Sequence, residues 1–147
     1  ETLERVYDER VQLSPGAESL IARCKELGIR TLLVSGGFTF FVDRLKERLG
    51  FDDARSNELE VRDGKLTGQV LGEVFDAKAK AAALEESCAA IGATSAQAIV
   101  IGDGANDLAM MTAAGVSIAY RAKPIVKQQA TYSLDHVGLD GALNLFP

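Results

Sequence analysis

The segment most suggestive of chemistry is Gly102-Asp103-Gly104-Ala105-Asn106-Asp107, which follows the apolar run Ala98-Ile99-Val100-Ile101. A short apolar run that ends in glycine predicts a buried strand, so Asp103 stands at a strand tip. Asp107, four residues on, falls in the first turn of the helix expected from near Asn106. A single acid in such a place is explained by capping or by the helix dipole, each worth about 0.3–1 kcal/mol. Two acids call for more than that. Carboxylate oxygens at a strand tip suit Mg²⁺, which takes one or two carboxylates together with water and phosphate oxygens. The loop is neither a dinucleotide fingerprint, which would need glycine where Asp107 stands, nor an EF-hand, whose later Gly and Glu are lacking, and no Walker A sequence occurs.

A second polar loop, Ser35-Gly36-Gly37, follows the run Ile29 to Val34. A small hydroxyl and glycine N–H groups between a strand end and a helix start form a ready anion site, and phosphate is its natural guest, although the same residues also suit an ordinary turn. A phosphate within about 4 Å of either carboxylate would be repelled by roughly 4 kcal/mol at an effective dielectric of 20. Cations must offset this. Lys78 and Lys80 open an Ala-rich helix, where the dipole disfavours them unless an anion lies close, and either one taken alone also reads as a solvated surface lysine.

These loops need elements to hold them. Ser14-Pro15-Gly16 supplies an N-cap and a first-turn proline for a helix carrying Leu20, Ile21, Cys24 and Leu27 and ending at Gly28. The strand 29–34 follows, then a helix whose stripe Phe38, Phe41, Val42, Leu45 and Leu49 stops at Gly50. Two β-favouring runs between Leu59 and Val74 flank Asp63-Gly64, the signature of a type I′ hairpin. A helix over 78–91 leads to the strand before Asp103. Gly115 then closes the next helix ahead of the strand Val116-Ser117-Ile118-Ala119. Pro124 opens a short helix before a last strand near Tyr132-Ser133-Leu134. Such alternation implies an α/β fold, a Rossmann-like parallel sheet with helices on both faces, plus the hairpin. Both polar loops then lie outside the carboxyl ends of strands, where ligands of open α/β sheets bind.

Composition narrows the function classes. The 147 residues, 47% hydrophobic and 25% charged, suit one globular domain. A net charge of −5 without a basic stripe argues against nucleic acid, and no apolar run is long enough to span a bilayer. The start Glu1-Thr2-Leu3-Glu4-Arg5 has no signal-peptide pattern, so a cytoplasmic location is expected, with Cys24 and Cys88 as buried thiols. His136, the only histidine, has no nucleophile motif around it and reads as structural or surface. Phe38 reads as core and Asp52-Asp53 as a solvated turn.

Taken together, Val34-Ser35-Gly36-Gly37-Phe38, Lys80 and Gly102 to Asp107 resemble, in order and spacing, the later motifs of the haloacid dehalogenase phosphatases. The likeness to the phosphoserine phosphatases among them runs from about Val11 to Phe146, and includes Asp63 to Gly68 and Ala122-Lys123-Pro124. The resemblance implies that Ser35 and the Gly36 N–H hold phosphoryl oxygens, that Lys80 neutralises phosphate and nucleophile, and that Asp103 binds Mg²⁺. Asn106 and Asp107 complete the site. It favours Lys80 over Lys78 by distance to Asp103. The implied reaction is hydrolysis of O-phospho-L-serine through an aspartyl-phosphate.

One departure matters. The family attacks with the first aspartate of Asp-x-Asp-x-Thr on an earlier strand, and no two of the ten aspartates here are two positions apart. Residues 1–13 are expected to be the end of a helical cap and its return, and 14–147 an incomplete core whose central nucleophile strand lies elsewhere. A chain starting with Glu1 fits a piece of a longer parent, inactive alone, complemented by an N-terminal segment or by a swapped dimer. Competing readings are a phosphatase for another small phosphomonoester and a nucleophile-free binding module. P-type ATPases share the Gly-Asp-Gly-x-Asn-Asp loop, but the absence of membrane segments and the whole-chain likeness disfavour them.

Overall fold

A computed structural model describes residues 2–145; Glu1, Phe146 and Pro147, which bound the expected segments, lie outside the described residues. The first helix, α1 (Thr2–Arg10), buries none of its residues, and its Glu4 forms an ion pair with Arg44 at 3.6 Å. Helix α2 (Ala17–Glu26) buries Ala17, Leu20, Ile21 and Cys24. Its N-cap is Gly16, with φ 80°, and not Ser14, because the turn enters from the left-handed region and no side chain caps it.

Strand β1 (Leu32–Phe38) runs on through Ser35, Gly36 and Gly37, where a break had been expected. The reason is β2 (Asp53–Arg62). It pairs in parallel with β1 from Leu32↔Asp53 to Val34↔Arg55 and again at Phe38↔Asn57, so the three polar residues form a bulge between two fixed points. Between these strands, α3 (Thr39–Leu49) ends at Gly50 in the left-handed conformation; of the expected stripe only Val42 is fully buried. Asp52 is no idle turn residue, since its carboxylate accepts from the Thr31 N–H at 2.7 Å and binds the Thr31 hydroxyl at 3.2 Å. Past Asn57, β2 turns to pair antiparallel with β3 (Lys65–Leu71). Asp63 and Gly64 have φ 50° and 72°, the two positive angles that a type I′ turn requires.

Helix α4 (Ala77–Ala89) follows, capped by Asp76, whose carboxylate accepts from the Ala79 N–H at 3.0 Å. Strand β4 (Ile99–Gly102), a 3₁₀ turn (Ala105–Asp107) and the short α5 (Leu108–Ala113) come next. Strand β5 (Val116–Tyr120), α6 (Pro124–Gln129), β6 (Tyr132–Leu134) and a 3₁₀ segment (Leu139–Leu145) follow among the described residues. Strands β4, β5 and β6 are parallel in that order. Their side chains alternate between two cores with the period of two that a strand imposes. Val100 and Ala119 join Leu84, Met110, Met111 and Val126 on one face, while Ile101 and Ile118 join Leu20, Ile21 and Cys24 on the other. Helices on both faces of a parallel sheet are the α/β architecture expected.

The sheet is nevertheless divided. Among the described residues β1-β2-β3 and β4-β5-β6 form separate three-stranded sheets. Val34 of β1 still packs against the core containing Val100 and Leu84, so the two halves share α4 while leaving β1 and β4 each with one unpaired edge. None of the seven residues of β1 is fully buried and Ile99 of β4 is 39% exposed, unlike strands flanked on both sides in a parallel sheet.

Candidate active site

Lys80 is the organising residue. Asp76 fixes the start of α4, and one turn later Lys80 projects inward, 5% exposed, whereas Lys78 is exposed. The Lys80 ammonium donates to Asp107 Oδ1 at 2.9 Å. The other carboxylate oxygen of Asp107 accepts from the Asp103 N–H at 3.2 Å and the Gly104 N–H at 3.3 Å. Both oxygens of this buried acid are therefore satisfied, as a buried charge demands. Gly102 makes the geometry feasible, since a Cβ there would lie 2.7 Å from Asp107 Cβ and 2.8 Å from its Oδ2. Asp107 lies in the 3₁₀ turn ahead of α5, not in the helix proper.

Asp103 and Asn106 are exposed at the same loop. Among the described residues the Asp103 carboxylate has no hydrogen-bond or ion-pair partner. No group of three or more His, Cys, Asp or Glu side chains is gathered among the described residues, so the loop after β4 offers the Asp103 carboxylate and not a complete metal cage. That donor fits Mg²⁺, a hard cation that usually keeps several waters beside one or two carboxylates.

Ser35 and Gly36 lie in the bulge of β1. The Ser35 hydroxyl accepts from the Gly37 N–H at 3.0 Å, which leaves its own O–H free to donate to an anion. Asn57, 6% exposed, donates from Nδ2 to Gly36 O at 2.9 Å and accepts from the Phe75 N–H at 2.6 Å. The residue thus ties the Ser35 loop to the entry of the Lys80 helix. Sequence reasoning missed it. It lay ahead of the expected hairpin runs, which began at Leu59, and an amide-bearing residue is disfavoured in strands, yet β2 starts at Asp53 and takes it in. His136 is exposed; Cys24 is buried and Cys88 half-buried, both as free thiols. Burial pushes the Cys24 thiol pKa up.

A family model for haloacid dehalogenase-like hydrolases matches residues 1–112. The chain belongs to the haloacid dehalogenase-like hydrolase family. Among curated members, a phosphoserine phosphatase of Polaromonas sp. is 48% identical over 98% of this chain, and one from Archaeoglobus fulgidus is 44% identical over 99%. A solved substrate-bound phosphoserine phosphatase complex superimposes with a TM-score of 0.91 at 40% identity, covering 98% of this chain and 68% of that one. The chain spans 63% of the Polaromonas relative and 43% of the Archaeoglobus relative. As a member of this hydrolase family, the chain supplies a buried lysine, two acids at the tip of β4 and a Ser-Gly-Gly bulge at the carboxyl end of β1.

Proposed function

We propose that this chain is the phosphate- and Mg²⁺-binding part of a phosphomonoester hydrolase that converts O-phospho-L-serine to serine and phosphate. The observation that carries the reading is the buried Lys80–Asp107 pair set directly against the backbone of Asp103, in a chain of this hydrolase family. Ser35 Oγ–H and the Gly36 N–H donate to the phosphoryl oxygens, Lys80 offsets their charge, and Asn106 and Asp107 complete the site. Asp103 holds Mg²⁺, which when bound stabilises the charge that develops on the phosphoryl oxygens.

Phosphoserine as substrate rests on the names of relatives at 42–48% identity. An aspartyl-phosphate intermediate is supported by a related phosphoserine phosphatase solved with an analogue of one, 40% identical to this chain. The attacking carboxylate belongs to a strand outside these 147 residues, seated between the unpaired edges of β1 and β4. Attack on phosphorus breaks the P–O bond to serine, whose oxygen takes a proton from the general acid of the same Asp-x-Asp-x-Thr segment. That group then takes a proton from the water that cleaves the acyl phosphate, which releases phosphate and restores the carboxylate. Residues 1–13 are the end of a helical cap and its return, and 14–147 an incomplete core. Without the nucleophile the isolated chain does not turn over.

The test is a kinetic panel on the protein extended through its Asp-x-Asp-x-Thr segment. O-phospho-L-serine should be preferred over phosphothreonine, glycerol phosphate and sugar phosphates, and chelation of Mg²⁺ should abolish turnover. Equal rates across the panel would remove the substrate assignment, and full activity in chelator would remove the metal.

A further inference from the structure

Asn57 is buried, and both ends of its amide are used. The amide orientation follows from its partners, because Phe75 offers a donor and Gly36 O an acceptor. No cis peptide occurs among the described residues, so the C=O of Gly36 and the N–H of Gly37 point to opposite sides of a single planar unit. Asn57 Nδ2 holds the first at 2.9 Å and the Ser35 hydroxyl oxygen holds the second at 3.0 Å. Any rotation of this peptide plane must break both bonds.

We propose that Asn57 is a positioning residue that acts through the Gly36–Gly37 peptide to set the rotamer of Ser35, so that the Ser35 O–H donates outward to a phosphoryl oxygen. The inference rests on the reading of Ser35 as a phosphate ligand. Glycine at 36 and 37 leaves the bulge without side chains to stiffen it, and glycine backbone is the most permissive there is. An external clamp is then needed if the hydroxyl is to be presented in one orientation. Asn57 is placed for this by the register, since it pairs with Phe38 where the bulge ends and where β2 leaves β1 for β3. Its second bond reaches Phe75, the residue before the Asp76 cap, so the same amide keeps the bulge in step with the helix that carries Lys80.

The substitution Asn57→Asp separates the two bonds. A carboxylate can still accept from the Phe75 N–H but faces the Gly36 carbonyl with an acceptor, so the clamp on the peptide is lost selectively. The experiment is a double-mutant cycle in the full-length enzyme, with inorganic phosphate as the competitive inhibitor and amide hydrogen exchange at Gly37 as a second readout. Ser35→Ala should weaken phosphate inhibition about ten-fold, and Asn57→Asp about five-fold, with faster exchange at Gly37. Combined, they should lie within about two-fold of Ser35→Ala alone, because residues acting through one another are not additive. Should Asn57→Asp not fold, Asn57→Ser, which reaches neither partner and adds no charge, takes its place in the cycle. Multiplying effects, or a silent Asn57 variant beside a damaging Ser35→Ala, would overturn the relay and leave the phosphate site standing. A silent Ser35→Ala would overturn the site assignment and the relay with it.

Discussion

Lys80 Nζ lies 2.9 Å from Asp107 Oδ1, with the two side chains 6% and 9% exposed and 27 positions apart in sequence. A buried charge pair of this kind locks the α4 helix to the tip of β4. Removing one partner leaves the other charged and unsolvated, at a cost of about 3–5 kcal/mol, whereas replacing both by apolar residues of similar size is often neutral. In urea unfolding of the full-length protein, Asp107→Ala should lose about 3 kcal/mol and Lys80→Met with Asp107→Leu much less. Equal losses would mean that the pair contributes by packing and not by charge.

The neighbouring lysine provides an internal control. Lys78 is exposed in the first turn of α4, two positions and hence about 200° around the helix from Lys80. Lys78→Ala should leave turnover within about two-fold, while Lys80→Ala should cut it by about 10²–10³, the range for removing one preorganised charge-stabilising group. Steady-state kinetics on refolding-competent variants decides this, and equal, negligible effects would remove Lys80 from the site.

Asp103 should behave in the opposite way from Asp107. Its carboxylate has no partner among the described residues, so nothing in the fold depends on it. Asp103→Asn should leave the melting temperature within about 2 °C of the parent, as expected for a surface change. The Mg²⁺ concentration for half-maximal activation should rise at least about ten-fold, and an unchanged Mg²⁺ requirement would count against Asp103 as a ligand.

Asp53 opens β2 and gives the acid limb of stability a local origin. Slight burial would raise its pKa, but the Ala54 N–H at 2.9 Å, the Arg55 guanidinium at 3.2 Å and the charge of Lys46 outweigh this and hold it below its ordinary value of 3.8. The sign follows from proton linkage. The contribution is present above pH 3.8 and is lost as pH falls through the lower folded value. Asp53→Asn should cost less than about 1 kcal/mol at pH 7, and the gap between the two proteins should shrink below pH 3.8. A gap independent of pH would assign the effect to packing.

The unpaired edges of β1 and β4 carry a prediction about assembly. Exposed strand edges with apolar neighbours invite pairing with another chain. The isolated 147-residue chain should therefore self-associate in light scattering, and co-expression with the segment bearing the nucleophile strand should yield a monodisperse complex. A monomer of the chain alone, unfolding cooperatively, would show that the gap in the sheet does not need a strand.

Much of this molecule is written locally. Asp63-Gly64 determines its own turn because few residues besides glycine and Asn or Asp accept two successive positive φ angles. The run 98–101 and the loop 102–107 are legible for similar reasons, since a buried strand must be apolar and glycine must stand where a carboxylate packs against backbone. What the sequence could not decide concerned partners far along the chain. The extent of β1 through Ser35-Gly36-Gly37 depends on pairing with β2, whose Phe38↔Asn57 contact resumes the ladder beyond the bulge. Local propensity had ended the strand at glycine. The resemblance already favoured Lys80 over Lys78, but that Lys80 is the one that faces inward is a matter of helical phase, fixed by the packing of α4. Asn57 carried little signal in the sequence because its two partners lie 21 and 18 residues away. A side-chain amide gains importance only when folding removes water and leaves backbone groups that need it, and that condition belongs to the tertiary structure.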